Sequence, residues 1–145
     1  MATETPREIR YDGIHCNLAI QQFGSKVVVL RISGTDIGEF GDAPMQGINE
    51  CLAGAEPVEF YIDAREVRGA SIEVSGEWAR WLGAHRVQFS GIRMLTGSRF
   101  VEVTADFVRR FADLQGIMRI YTEPAAFDAA LEESIREGRE SRRSS

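Results

Sequence analysis

The chain has 145 residues, 43% of them hydrophobic and 27% charged, which is one domain's worth of ordinary globular composition and excludes fibrous and disordered classes. A net charge of −5 argues against a nucleic-acid surface. No apolar run approaches the ~20 residues of a membrane span, and the polar start MATETPREIR lacks the apolar centre of a signal peptide, so a cytoplasmic location is expected.

Residues 1–7 read as a flexible start. The stretch from Glu8 to Phe23 is loosely strand-like, and Gly24 and Ser25 separate it from the β-branched run Val27 to Ile32, a buried strand joined to it as a hairpin. Glycines punctuate a loop from Ser33 to Gly41. Asp42 then caps a helix with Pro44 in its first turn, Met45, Ile48 and Leu52 on one face, and Gly54 at its end. Val58 to Asp63 is the central strand, followed by a polar loop from Arg65 to Ser71.

Ser75 reads as the cap of a helix reaching about Val87, with Trp78, Trp81, Leu82 and His85 at the i, i+3, i+4, i+7 spacing of one face. Ile92 to Thr96 is a short strand. Ser98 caps a third helix carrying Phe100, Thr104, Phe107, Phe111 and Leu114, which Gly116 stops. Ile117 to Tyr121 is the last strand, and Thr122 with Pro124 opens a helix that turns Phe127, Ala130, Leu131 and Ile135 inward. The tail, residues 138–145, reads as disordered. Alternating strands and helices after a hairpin predict a single α/β domain over residues 8–137: a mixed, largely parallel sheet of about four to five strands packed by about four helices.

Charge and cysteines add little chemistry. Between Ile32 and Ala64 stand seven acids and no basic residue, an asymmetry that suits steering of a charged partner or a plain solvated face. Cys16 and Cys51 have no CxxC spacing, so neither a zinc site nor a redox pair is indicated. His15 and His85 lack ligand-like neighbours. A Ser75, His85, Asp63 triad fails because ten residues of helix span about 15 Å. No phosphate-binding, dinucleotide, zinc-protease or calcium-loop motif occurs, so no catalytic residue, metal or cofactor is assigned, and the chain reads as a non-enzyme. Asp36 and Asp63, both at strand ends, are the carboxylates of interest.

Three stretches in this order resemble the STAS (sulfate transporter and anti-sigma-factor antagonist) family, with SpoIIAA-like single-domain members: Val27 to Asp36 (VVVLRISGTD), Phe60 to Val67 (FYIDAREV) and Glu73 to Gly76 (EVSG). The closing IMRIYTEPAAFDAAL, Ile117 to Leu131, fits as well. The resemblance implies a bacterial regulator that binds an anti-sigma-factor or kinase-like protein through Asp36, Asp63, Glu73, Ser75 and Gly76, with Ser75 as the phosphorylated serine. Glu73 and Val74 stand where the family has Asp and Ser, and the carboxylates of Glu73 and Glu77 would repel a phosphate. The alternative for Ser75 is a helix cap worth ~1 kcal/mol. The related SpoIIAA-like domains that share an architecture with SEC14 lipid carriers imply instead a small apolar ligand, lined here by Trp78, Trp81, Phe100, Phe107 and Phe111; plain core packing is the other account of those rings.

Overall fold

In the computed structural model, which describes residues 7–54 and 56–144, six strands lie side by side in chain order: β1 (Arg7–Asp12), β2 (Cys16–Phe23), β3 (Val27–Asp36), β4 (Val58–Ala70), β5 (Phe89–Thr96) and β6 (Met118–Tyr121). β1 to β3 pair antiparallel, and β3 to β6 pair parallel through the crossover helices α1 (Ala43–Cys51), α2 (Ile72–Ala84) and α3 (Arg99–Phe111). A last helix, α4 (Pro124–Ser144), closes the chain. The mixed, largely parallel α/β sheet expected from the sequence is present, with six strands where four to five were expected.

The additional strand comes from a turn at Gly13 inside the stretch read as one segment. The Glu39 carboxylate, 25 residues on, accepts hydrogen bonds from the Ile14 and His15 amides at 3.1 and 3.0 Å and closes that turn. Such a long-range cap leaves no local pattern. Gly34 is needed beside it, because its φ is +86° and a Cβ there would stand 2.3 Å from the His15 carbonyl oxygen.

Strand alternation divides the core between two faces. Val28, Leu30, Phe60, Ile62 and Ile92 pack under α1, α2 and α3, while Val27, Val29, Tyr61 and Leu95 pack with Tyr121 against Phe127 and Leu131 of α4. Tyr61 anchors that second face, its hydroxyl meeting the Ala130 carbonyl at 2.9 Å and Ser134 at 2.5 Å. β4 runs on to Ala70 through the segment expected to be loop, since after one register shift at Arg31/Ser33, and across another at Gly34/Thr35, Glu66 to Ala70 pair with Ser33 to Asp36. α4 likewise continues to Ser144, so the described part of the expected disordered tail is helix. Residues 1–6 of the expected flexible start, and residue 145, lie outside the described residues.

Candidate functional site

α2 begins one helical turn earlier than its sequence suggests. Ser71, extended at φ −67° and ψ 158°, is the cap: its side-chain oxygen accepts from the Val74 amide at 3.2 Å, and Glu73 adds a negative charge to the first turn. Ser75, expected to be the cap, is therefore the fourth residue of the helix, only 8% exposed and facing the sheet. Its hydroxyl is not presented at a rim.

α2 and α3 run side by side over the first face. They come close toward their C-terminal ends, where a Cβ on Gly83 would sit 3.5 Å from the Ala112 carbonyl oxygen. Between Ser75 to Leu82 of α2 and Val101 to Val108 of α3 lies a cavity of about 90 Å³. Leu30, Ile62 and Met94 of the sheet form its floor, Trp78 and Leu82 one wall, and Val101, Ala105 and Val108 the other. Its side-chain polar groups are those of Asp36, Ser75, Thr104 and the Trp78 indole, and no Lys, Arg or His lines it. The Thr104 hydroxyl is engaged, donating to the Phe100 carbonyl at 3.1 Å.

Asp36 ends β3 at the rim of this cavity and is 7% exposed. Its two carboxylate oxygens accept from the Gly38 amide at 3.1 Å and from the Trp78 indole N–H at 3.3 Å. Its carbonyl also takes the Ser71 amide at 3.0 Å, so one residue ties the strand end to the start of α2. Asp36, Ser75 and Trp78, chosen separately from the sequence, thus meet around one space.

The other candidates do not join them. Asp63 points to the opposite face, held by Arg31 at 2.6 Å and Arg65 at 3.0 Å, with Arg65 extending the chain to Asp128 of α4 at 2.5 Å. Asp128 and Asp63 together raise the affinity of the Arg65 guanidinium for its proton. Asp63 is a structural ion-pair centre, and Asp63→Asn should lower stability by about 1–2 kcal/mol, because both arginines reach solvent once released; urea unfolding measures it. Glu73 is exposed. Gly76, half-buried, would carry a Cβ 3.5 Å from the Arg80 guanidinium. Trp81 stacks on His85, with ring centroids 4.5 Å apart, and leans on Phe89 outside the cavity. The His85 Nδ1 lies 2.8 Å from the Trp81 carbonyl.

Phe100, Phe107 and Phe111 correct the expectation of an aromatic-lined cavity. They are 63%, 51% and 58% exposed, and with Val103 they form an outward stripe, while Val101, Ala105 and Val108 face inward. The helical period identifies two apolar stripes on α3 and cannot say which one turns to the sheet; the smaller side chains do, because they let α3 approach it. Sequence reasoning placed Thr104 on α3 without giving it a site role and missed Val101, Ala105 and Met94, whose only signal is small or flexible apolar character on elements already predicted.

The cysteines stay out of any chemistry. Burial, with Asp36 and Glu39 adding to it, pushes the Cys16 thiol from its ordinary 9.0 up to about 12, and burial also pushes Cys51 up. The stabilising effect of a neutral Cys16 is whole below pH 9 and is lost as pH rises toward 12. Both thiols should resist iodoacetamide in the native protein at pH 8 and react on unfolding in urea; rapid native labelling would contradict their burial. Among the described residues no three His, Cys, Asp or Glu side chains gather as a metal site would require. No helix among them is long and apolar enough to cross a membrane.

No family model matches the sequence, and no curated protein matches it. Among solved structures the chain is similar to an uncharacterised protein of the DUF3478 family from Shewanella loihica PV-4, described as having a SpoIIAA-like fold. The TM-score is 0.58 at 14% identity, over 90% of this chain and 98% of that one. With its hairpin, its parallel half-sheet and its helices on both faces, this chain has the SpoIIAA-like fold.

Proposed function

We propose that this protein is a non-catalytic binding domain that holds a small apolar ligand between α2 and α3. The observation that carries the reading is the cavity itself: about 90 Å³, walled mostly by apolar side chains, with few polar groups. An apolar cavity of about 150 Å³ stays dry and takes benzene, so this one suits a chain of about four carbons. Anti-sigma antagonism through a phosphorylated Ser75 is less well supported, since a kinase would have to reach a hydroxyl lying under its own helix.

The test is thermal unfolding in the presence of n-butanol. Binding to the native state should raise the midpoint saturably above the general solvent effect. Ala105→Leu, which fills the space from the α3 wall, should remove that rise. A midpoint that n-butanol changes identically in both proteins would contradict the reading.

A second reading, docking of another copy of this chain, is favoured by the outward stripe of α3. Three half-exposed phenylalanines in line are uncommon on a monomer surface. An antiparallel approach of two α3 helices lays Phe100 near the other copy's Phe111, and the acidic first turn at Glu102 against the basic last turn at Arg109 and Arg110. The stripe offers several hundred Å² toward the ~800 Å² per partner of a standard interface. Size-exclusion chromatography with light scattering should find a dimer that Phe107→Ser with Phe111→Ser converts to monomer. A wild-type monomer at millimolar protein would dismiss the docking.

A further inference from the structure

Given that the cavity is a ligand site, on which this rests, we propose that it selects a short aliphatic chain ending in a hydrogen-bond-donating head, a primary amine or an alcohol, over one ending in a carboxylate. The tail is specified by the apolar floor and walls. The head is specified by polar groups of the lining: the Asp36 carboxylate, itself over nine-tenths buried, and the Ser75 hydroxyl, with no cationic side chain lining the space.

Asp36 has acceptor capacity left. A carboxylate offers about four lone-pair positions, and Asp36 uses two, for the Gly38 amide and the Trp78 indole. Those two bonds also fix the carboxylate's orientation, so an incoming donor meets a group already in place. An alkylammonium head gains an opposite charge in a site of low polarity, and an alcohol gains one hydrogen bond to a charged acceptor. An alkanoate head meets a like charge with nothing to neutralise it, and so it either stays outside or enters protonated at a loss. Ser75 serves either accepted head, donating to an alcohol oxygen or accepting from an ammonium.

The experiment is calorimetric titration of the whole protein with n-butylamine, n-butanol and butanoate in one buffer at pH 7. Butylamine should bind at least about tenfold more tightly than butanoate, the effect of a single pairing charge in a shielded site, with butanol between them. Asp36→Asn should bring the amine and the carboxylate within about threefold of each other while butanol still binds. Ala105→Leu should abolish binding of all three, which separates the cavity from attraction of an amine to a chain of net charge −5. Butanoate binding as tightly as butylamine, or amine binding that survives Ala105→Leu, overturns the head-group selection. Failure of all three ligands to bind the wild-type protein overturns the cavity reading and the selection with it.

Discussion

Ser75→Glu should lower the unfolding free energy by about 3–5 kcal/mol, because it places a carboxylate within a largely apolar space that already holds Asp36 and offers no cation. Ser75→Ala should change stability by less than about 1 kcal/mol, since the hydroxyl is not the helix cap. The contrast matters because glutamate is the usual imitation of a phosphoserine. Were residue 75 at an exposed helix start, the same substitution would be tolerated or mildly favourable beside the helix dipole. Burial also fixes the pH dependence. The introduced carboxyl is neutral in folded and unfolded states below about pH 4, so the deficit attributable to its charge is smallest there. It grows as pH rises through the unfolded value of about 4.3 toward the raised folded one. Urea unfolding of both variants at pH 4 and pH 7 measures it; a Ser75→Glu protein as stable as wild type at pH 7 would place the side chain in solvent.

Phe60→Ala should cost about 3–5 kcal/mol, the usual penalty for deleting a fully enclosed ring. Phe60 has no exposed surface, stacks on Phe89 with centroids 5.3 Å apart and belongs to the core that supports α1 and α2. Domains of this size hold only about 5–15 kcal/mol in total. The variant should therefore unfold at far lower urea than wild type, with near-unchanged denaturant sensitivity. A loss under about 1 kcal/mol would mean that the central strand is not packed as described.

Much of this architecture is legible in the chain. Val27 to Leu30 and Phe60 to Ile62 are unbroken apolar runs of the kind a strand covered on both faces needs, and they pair with each other in parallel. The misplaced cap has a simple origin. Ser71 and Ser75 both precede stretches compatible with a helix, and one turn separates them. Glu73 follows Ser71 by two residues as Glu77 follows Ser75, so an acid in the first turn favours neither start. The extension of β4 was hidden because Arg65 to Ala70 is polar and glycine-bearing, with partners supplied by the end of β3 more than 30 residues earlier.

The site was legible only in part. Asp36, Ser75 and Trp78 were singled out as a strand end, a helix start and an aromatic face; their convergence depends on how α2 crosses β3. A cavity is a deficit of side-chain volume, here between Leu82 on one helix and Ala105 on the next, and no pattern in either helix encodes the distance between them. The phenylalanines of α3 drew attention by size, yet Val101, Ala105 and Val108 form the wall.

Methionine methyl groups offer the most direct test of ligand occupancy. Met94 and Met118 line the cavity, whereas Met45 packs at α1 against the same core without lining it. Carbon-13-labelled methionine spectra recorded during titration with n-butanol should show the Met94 and Met118 methyl signals shifting to a plateau while Met45 stays in place, and no such shift in Ala105→Leu. Small, unsaturating movement of all three signals together would show that nothing occupies the space between α2 and α3.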